Sequence, residues 1–266
     1  MVSDLVIPDA GIFAKKHISP DDARGIEALA ANAWRALEAE DHGGWLYRFS
    51  HGVTRRMNSV LPNGYEGPAS LADRLAAVEA YYRGHGLPPR YQISPAALPG
   101  DLDEILGARG YEVEAPVHIQ IANIAEMASG GDELEGEVEI LEQPDQAWMD
   151  VYLAGFGRDI SMIMAGIEDR GLFPLYRLDG ECVAVGMGFP KAGWLGVFGM
   201  QTRDECRGRG IGSALVASLV DWGRRNGIFG MYLQVEEDNP AARRLYERLG
   251  FRTVYGYHYR TLMDTP

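Results

Sequence analysis

Cysteine is scarce in this 266-residue chain, which holds only Cys182 and Cys206, so a disulfide framework is excluded as the basis of the fold. Long apolar runs are also lacking, because no stretch approaches the roughly 20 residues that a transmembrane helix needs. The opening residues, MVSDLVIPDAGIF, carry neither the basic segment nor the apolar core of a signal peptide. We therefore expect a cytoplasmic protein with no membrane partner.

Basic residues are also fewer than acidic residues. The chain has 25 Lys+Arg against 38 Asp+Glu, which gives a formal net charge of −13. Nucleic acids and anionic membranes both require a basic face, so we expect neither as a partner. The lysines are Lys15, Lys16 and Lys191, and the other basic residues are arginines, many of them between Arg203 and Arg252. This local excess indicates either a bound anion or simply solvated helix faces.

The length fits two domains of about 130 residues each. The small, polar segment ASGGDELEG, residues 128–136, divides the chain almost in half. The halves also resemble each other at an offset of about 140 residues: VEAYYRGHGLPPRYQIS matches VDWGRRNGIFGMYLQV, and LDEILGARGYE matches RRLYERLGFR. Each half reads as helix, strand, short helix, Gly-aromatic and strand. We therefore predict two copies of one fold, in domains 1–130 and 131–266.

One segment of the second half carries the chemistry. The pattern predicts a strand over residues 194–202, then the loop Arg-Asp-Glu-Cys-Arg-Gly-Arg-Gly-Ile-Gly, then a helix over residues 211–226. Glycines let a backbone turn its N–H groups toward a ligand, and a helix N-terminus adds unpaired N–H groups and a positive dipole end. The loop therefore predicts a phosphate or pyrophosphate site. No lysine follows the glycines as in a P-loop, and Gly208, Gly210 and Gly212 do not match a dinucleotide fingerprint.

At this point the sequence resembles the GNAT superfamily of N-acetyltransferases. The matching residues are the loop Arg207–Gly212, the segment Asn239-Pro240-Ala241-Ala242, Leu245-Tyr246 and Leu249-Gly250-Phe251. The whole chain also looks like tandem-GNAT proteins with a degenerate first copy, as in mycothiol synthase-like enzymes. The resemblance implies an α/β (α+β) fold class with two tandem GNAT folds, each a mixed, mostly antiparallel sheet flanked by helices.

The resemblance further implies acetyl-coenzyme A as the cosubstrate. The glycine loop would bind its pyrophosphate, and the strand end would pair with its pantetheine arm between two splayed parallel strands, those ending at Thr202 and Glu236. Asn239 would lie near the pantetheine, although a plain N-cap explains that residue equally well. The implied cofactor-binding residues are Met200, Gln201, Thr202, Arg207, Gly208, Arg209, Gly210, Ile211, Gly212 and Asn239.

Tyr246 corresponds to the family tyrosine that protonates the leaving thiolate. Asn239 and Tyr246 are seven residues apart, which places both on one helix face. We expect this face to differ from the one that carries Leu245 and Leu249. Packing at a helix edge is the alternative role for Tyr246.

Several residues are candidates for the general base. Some family members place a glutamate at the position that Gln234 holds here, and glutamine cannot act as a base. Strand alternation puts Glu236 on the same face as Gln234, so Glu236 is the first candidate. The alternatives are Asp238, His258 or a water relay through Gln234.

Several other features point to no chemistry. A covalent role for Cys206 is disfavoured, because no histidine adjoins it in sequence, and the six histidines show no metal-binding spacing. We expect Trp45, Tyr47, Arg55 and Arg56 either to face the cleft or to belong to the core and surface of a degenerate sheet. We expect a monomer or homodimer that acetylates a primary amine of a small molecule. A protein N-terminus or lysine as acceptor, and a non-catalytic coenzyme A sensor, are the alternatives.

The first half lacks both the glycine-rich loop and the tyrosine. At the corresponding place the sequence reads PNGYEGPAS, residues 62–70, where Pro68 has no N–H and Glu66 adds negative charge. At an offset of 140, the position of Tyr246 is held by Leu106. We therefore expect one coenzyme A per chain, bound by the second half.

Overall fold

The computed structural model describes residues 6–128, 134–156, 161–167 and 171–263. Within this part the helices are α1 Pro20–Ala33, α2 Leu71–Gly84, α3 Leu102–Ala108, α4 Gln146–Phe156, α5 Ser161–Ala165, α6 Ile211–Arg225 and α7 Pro240–Arg248. The strands are β1 Glu38–His42, β2 Trp45–Phe49, β3 Val60–Leu61, β4 Arg90–Ile93, β5 Glu112–Asn123, β6 Glu137–Leu141, β7 Phe173–Leu178, β8 Glu181–Lys191, β9 Trp194–Thr202, β10 Gly230–Glu236 and β11 Arg252–Thr261. Among the described residues, no helix is both long and apolar enough to cross a membrane.

The chain forms two compact units, and each unit combines segments that are distant from each other in the sequence. One unit contains His17–His118 and the chain from Tyr255 onward, and the other contains Ile7–Lys16 and Ile119–Val254. The chain passes from one unit to the other within β5 and within β11. We call these the first and second units. The assignment of residues 1–130 and 131–266 to two separate GNAT copies stays a prediction.

The first unit has the strand order β1-β2-β3-β4-β11. β3 and β4 are parallel and meet at a single pair, Val60 with Tyr91, whereas the other neighbours are antiparallel. Helix α1 begins with a capping box in which Ser19 and Asp22 satisfy each other's backbone N–H, and Pro20 is its first residue, as the pattern Ser-Pro-Asp-Asp predicts. The core combines residues of the strands and of α2 and α3, including Trp45, Val78, Tyr82, Tyr91 and Leu106.

The second unit has the order β5-β10-β9-β8-β7-β6, with β9 and β10 parallel and β6 to β9 antiparallel in succession. Helices cover both faces. A Cβ at Gly188 of β8 would lie 2.7 Å from the Leu219 side chain of α6, so α6 packs on that face. Tyr152 of α4 packs with Met187, the next residue along β8, on the opposite face. The mixed α/β fold with a mostly antiparallel, helix-flanked sheet is therefore confirmed.

Most predicted elements are present with shifted ends. α6 buries Ile211, Leu215 and Leu219 as the apolar spacing predicts. From the sequence, the first helix is expected to run through Ala36, whereas α1 ends at Ala33. A helix is also expected over residues 161–168; α5 ends at Ala165, and residue 168 lies outside the described part of the chain.

Candidate active site

The parallel strands β9 and β10 separate partway along their length. Their pairing runs from Trp194 with Gly230 to Val197 with Leu233 and then stops. β9 continues to Thr202 and β10 to Glu236, so the last residues of the two strands are not paired with each other. β9 stays attached to β8 on its other side, through Gln201 and Thr202. The sheet thus opens a gap between the ends of two parallel strands, as the resemblance to GNAT enzymes implies.

A β-bulge in β9 lies at the mouth of this gap. The register with β8 shifts between the pairs Val185–Gln201 and Met187–Phe198, which leaves one extra residue in β9. Gly199 has φ 58°, a conformation that glycine adopts without strain. A Cβ there would lie 2.3 Å from Met187 Cε and 2.7 Å from a Tyr152 ring carbon. Only glycine therefore fits this bulge.

After the bulge, the side chains of β9 lie on the face of the sheet opposite to the one that strand alternation predicts. Val197 packs in the core on the α6 side, and strand alternation alone would direct Met200 to the opposite face. Met200 instead packs against that same α6-side core, and Gln201 lies against Gly155 of α4. A Cβ at Gly155 would stand 2.5 Å from Gln201 Oε1, so this glycine makes room for the glutamine side chain.

The glycine loop ends in an uncapped helix. Gly208 and Gly210 have φ 76° and 81°, and Gly210 is the N-cap of α6 without a side-chain hydrogen bond to the helix. The first amide after it that bonds within the helix is that of Ala214, which donates to Gly210 O at 3.1 Å. The backbone N–H groups of residues 208–213 donate to no group in the described part of the chain. This arrangement presents a row of unpaired donors at the positive end of a 15-residue helix.

The two arginines of the loop are paired with acidic residues of the same unit. Arg207 contacts Asp204 at 2.8 Å and donates from Nε to Thr202 O at 3.2 Å. Arg209 lies 3.4 Å from Glu135. Both side chains are exposed, so these contacts are weak and an incoming anion can compete for either guanidinium.

Helix α7 lies beside the first turn of α6. A Cβ at Gly212 would be 3.2 Å from Leu245 Cδ2, so the third glycine of the loop permits close packing of the two helices. Asn239 caps α7 by accepting a hydrogen bond from Ala242 N at 3.0 Å. The N-cap role considered for Asn239 is therefore present.

Tyr246 sits in the α6-side core rather than on a separate polar face. Its side chain is 7% exposed, its ring centroid lies 5.8 Å from that of Phe251, and Leu245 and Leu249 pack against the same cluster. The expectation of two distinct faces is thus wrong, because the helix buries a wider arc than the leucine spacing indicates. Burial raises the pKa of Tyr246 to about 12. Its hydroxyl bonds to no described residue and stays protonated at neutral pH.

The candidate bases differ in placement. Leu233 and Val235 of β10 pack in the α6-side core, so alternation directs Tyr232, Gln234 and Glu236 to the α4 side. Glu236 is exposed at the end of β10, and Asp238 is exposed just beyond it. His258 belongs to the first unit, where its Nε2 lies 2.9 Å from Asp103 Oδ1.

Other residues singled out from the sequence prove structural. Cys206 is 6% exposed and packs with Ile211 and Leu215, so it belongs to an apolar cluster. Burial raises the pKa of the Cys182 thiol. Trp45 and Tyr47 are core residues of the first unit.

The packing roles of two glycines of the site, Gly155 and Gly199, are absent from the sequence predictions. An isolated glycine inside a predicted strand is a signal for a bulge, and Gly199 provided that signal. Gly155 gave none, since its role depends on a contact between α4 and β9.

Comparisons with known proteins identify the family of the chain. The family model described as "Probable histone acetyltransferase Rv0428c C-terminal" matches residues 21–260. The chain is 31% identical over 253 residues to "Uncharacterized N-acetyltransferase YobR" of Bacillus subtilis (strain 168), an alignment that covers 90% of this chain and 98% of YobR.

Two solved structures are similar in fold. A GCN5-related N-acetyltransferase from Kribbella flavida matches with a TM-score of 0.72 and 15% identity, covering 94% of this chain and 98% of that one. A tandem GNAT protein from the clavulanic acid biosynthesis pathway matches with a TM-score of 0.63 and 11% identity, covering 97% and 93%. The resemblance to GNAT enzymes is confirmed: the chain belongs to the family of the Rv0428c C-terminal region and is an acyltransferase, an N-acetyltransferase of the GNAT type.

Proposed function

We propose that this N-acetyltransferase takes its acetyl group from acetyl-coenzyme A and transfers it to a primary amine of a small molecule. The observation that carries the proposal is the combination, in one unit, of the open β9–β10 gap with the unpaired amides of residues 208–213. The amides suit a pyrophosphate, and the gap suits an extended arm that pairs with a strand end.

The proposed donor site uses the predicted cofactor-binding residues. The loop Arg207–Gly212 surrounds the pyrophosphate with N–H groups, and the exposed arginines add positive charge. The β10-facing side of Met200, Gln201 and Thr202 has no strand partner in the described part of the chain, so it is open to the pantetheine amides. The thioester then lies in the gap, next to the backbone N–H groups that would stabilise its oxyanion.

The reaction proceeds by direct attack in a ternary complex. The amine loses a proton to Glu236, or to water held near it, and its nitrogen attacks the thioester carbonyl carbon. The C–S bond breaks as the tetrahedral intermediate collapses, and the thiolate takes the proton of the Tyr246 hydroxyl. The nitrogen gives its second proton to water, which leaves a neutral amide, and water returns a proton to the Tyr246 phenolate. The Tyr246 phenol is neutral at pH 7, so it carries the proton that the acid role requires, although burial, which raises its pKa to about 12, makes it a weaker acid.

The faces of the sheet support this division of roles. Glu236 points to the α4 side, where Gln201 and Gly155 meet, whereas Tyr246 belongs to the α6-side core. The amine therefore approaches from the α4 side and the leaving sulfur is protonated from the α7 side.

We also propose that the chain is a tandem GNAT protein with a degenerate first copy. A matching strand order supports this proposal, because β1-β2-β3-β4-β11 in the first unit can be aligned with β7-β8-β9-β10-β5 in the second. β3 and β4 are parallel, as are β9 and β10. Gly110 and Gly250 follow corresponding helices with φ 85° and 96°. The fold likeness to a tandem GNAT protein over 97% of the chain supports this.

In the first unit, the region that corresponds to the glycine loop is occupied by an arginine side chain of the protein itself. The Arg74 guanidinium, from the first turn of α2, donates to the backbone carbonyls of His42, Gly43 and Glu66. Carbonyl oxygens converge where an anion site would need amides. Leu106 is fully buried at the position that corresponds to Tyr246. Coenzyme A binding by the second unit alone is consistent with both features.

The test is acetyl-coenzyme A turnover, read as free thiol, with a panel of small primary amines and with histone and N-terminal peptides. The family description supports a protein acceptor as the second candidate. Turnover with small amines only supports the first proposal, and turnover with peptides only supports the second. Coenzyme A binding without turnover by any acceptor would leave the sensor role.

A further inference from the structure

A short segment before β6, residues 134–136, lies against the glycine loop and belongs to the same unit. A Cβ at Gly210, the N-cap of α6, would lie 3.7 Å from Leu134 Cδ2. Leu134 also packs against the apolar cluster that contains Cys206, directly before the loop, and Ile211, within it. The loop therefore rests on the Leu134 side chain. We call residues 134–136 the flanking segment.

Two leucines from distant parts of the chain support the loop. Leu134 stands against Gly210, and Leu245 of α7 lies 3.2 Å from the place of a Cβ at Gly212. Glycine imposes little conformational preference of its own, so a loop with three glycines needs outside contacts to keep one conformation. A donor site that is held in its binding form before the ligand arrives loses less entropy on binding. We therefore expect both leucines to contribute to the affinity of the loop.

The flanking segment is itself fixed to β7. The N–H of Gly136 donates to the Tyr176 hydroxyl at 2.8 Å. A Cβ at Gly136 would overlap the carbonyl oxygen of Arg177, so only glycine allows this close approach to the strand. These contacts hold the two preceding residues, Leu134 and Glu135, beside the loop.

Glu135 brings a negative charge to the proposed phosphate site. Its carboxylate lies 3.4 Å from the guanidinium of Arg209, in the middle of the glycine loop. Both side chains are exposed, so the pair is weak and a phosphate can replace the carboxylate. A carboxylate and a phosphate at one guanidinium repel each other, so Glu135 lowers the affinity of the loop for a phosphate.

We propose that Leu134 and Glu135 are further residues of the donor site, with opposite effects. Leu134 is a positioning residue that holds the glycine loop in its anion-binding form. Glu135 competes with the donor phosphate for Arg209. The inference rests on the proposed use of acetyl-coenzyme A.

Leu134→Ala tests the positioning role, with Leu178→Ala as the matched control. Leu178 is another half-buried leucine packed on the same apolar cluster, but it lies at the end of β7. Both variants should lose a similar free energy of unfolding in urea, because each loses the same side-chain atoms from the same cluster. Only Leu134→Ala should weaken acetyl-coenzyme A binding in calorimetry, by about tenfold. With acetyl-pantetheine, which carries no phosphate, Leu134→Ala should keep the wild-type kcat/KM.

Glu135→Gln tests the competing role, and here the expected change is a gain. Acetyl-coenzyme A should bind about two- to fivefold more tightly, as expected for the loss of one exposed ion pair. The gain should shrink as salt is raised, because screening weakens the repulsion. The control is Glu139→Gln, which removes the same charge from β6, where Glu139 contacts Arg177 instead of the loop, and which should leave the affinity unchanged. Damage to the fold cannot produce tighter binding.

Each role can be overturned separately while the proposed donor stands. Unchanged affinity in Leu134→Ala, an equal loss in Leu178→Ala, or an equal loss with acetyl-pantetheine would overturn the positioning role. Unchanged or weaker binding by Glu135→Gln, or the same gain in Glu139→Gln, would overturn the competition for Arg209. A wild type that binds no coenzyme A would overturn both roles together with the proposed donor.

Discussion

Replacement of Gly199 by alanine tests whether the β9 bulge positions the donor-binding strand. The new methyl group would be held in the left-handed region, which costs an L-residue about 1–2 kcal/mol. It would also press on Met187 and Tyr152, where the Cβ distances of 2.3 and 2.7 Å force the core to shift. Overpacking of this kind costs about 1–3 kcal/mol. The free energy of unfolding should therefore fall by about 2–5 kcal/mol.

Gly180→Ala is the matched control. Gly180 has φ 83° at the β7–β8 turn, and a Cβ there meets nothing within 4 Å. This variant carries the conformational cost alone, so its free energy of unfolding should fall by about 1–2 kcal/mol. Urea unfolding of both variants, followed by tryptophan fluorescence, gives the two values and their difference, which isolates the steric contribution.

Binding supplies the functional readout. A displaced bulge changes the backbone at Met200–Thr202, so Gly199→Ala should weaken acetyl-coenzyme A binding by about tenfold, the equivalent of one good hydrogen bond. Gly180→Ala should bind as the wild type does. If the two variants lose the same stability and bind the donor equally well, the bulge neither fills a tight space nor positions the strand.

Four further results are expected. Gly210→Asp should abolish acetyl-coenzyme A binding in calorimetry, because its carboxylate would occupy the amide site. The control is Gly227→Asp, at the other end of α6 with φ 73°, which should bind acetyl-coenzyme A normally. If Gly210→Asp also binds it, the glycine loop is not part of the donor site. Tyr246→Phe should lower kcat by about 10²-fold with little change in donor affinity, since the ring keeps its contact with Phe251; wild-type turnover would exclude it as the acid. Titration with coenzyme A should give one site per chain, and two equivalent sites would contradict the degenerate first copy. Burial raises the pKa of Tyr246 to about 12 in the folded protein, against about 10 in the unfolded chain. The contribution of this group to stability is therefore present below pH 10 and is lost as the pH rises toward 12. Between pH 10 and 12, the free energy of unfolding measured in urea should fall less for Tyr246→Phe than for the wild type.

Local sequence determined much of the second unit. The spacing of Ile211, Leu215 and Leu219 specified an amphipathic helix, and the glycines before it specified an uncapped N-terminus, because both depend on residues close together in the chain. The β9–β10 gap was likewise expected from the GNAT motifs, and the pairing stops where those motifs place it.

The sequence by itself therefore determined the family, the fold class and the loop that can hold an anion. The tertiary structure decided what depends on contacts between distant residues. It placed Tyr246 in the core, joined the C-terminal strand to the first unit, and set Gly155 against Gln201. Periodicity reports which residues share a face of one element, whereas burial and pairing arise only when that face meets another element.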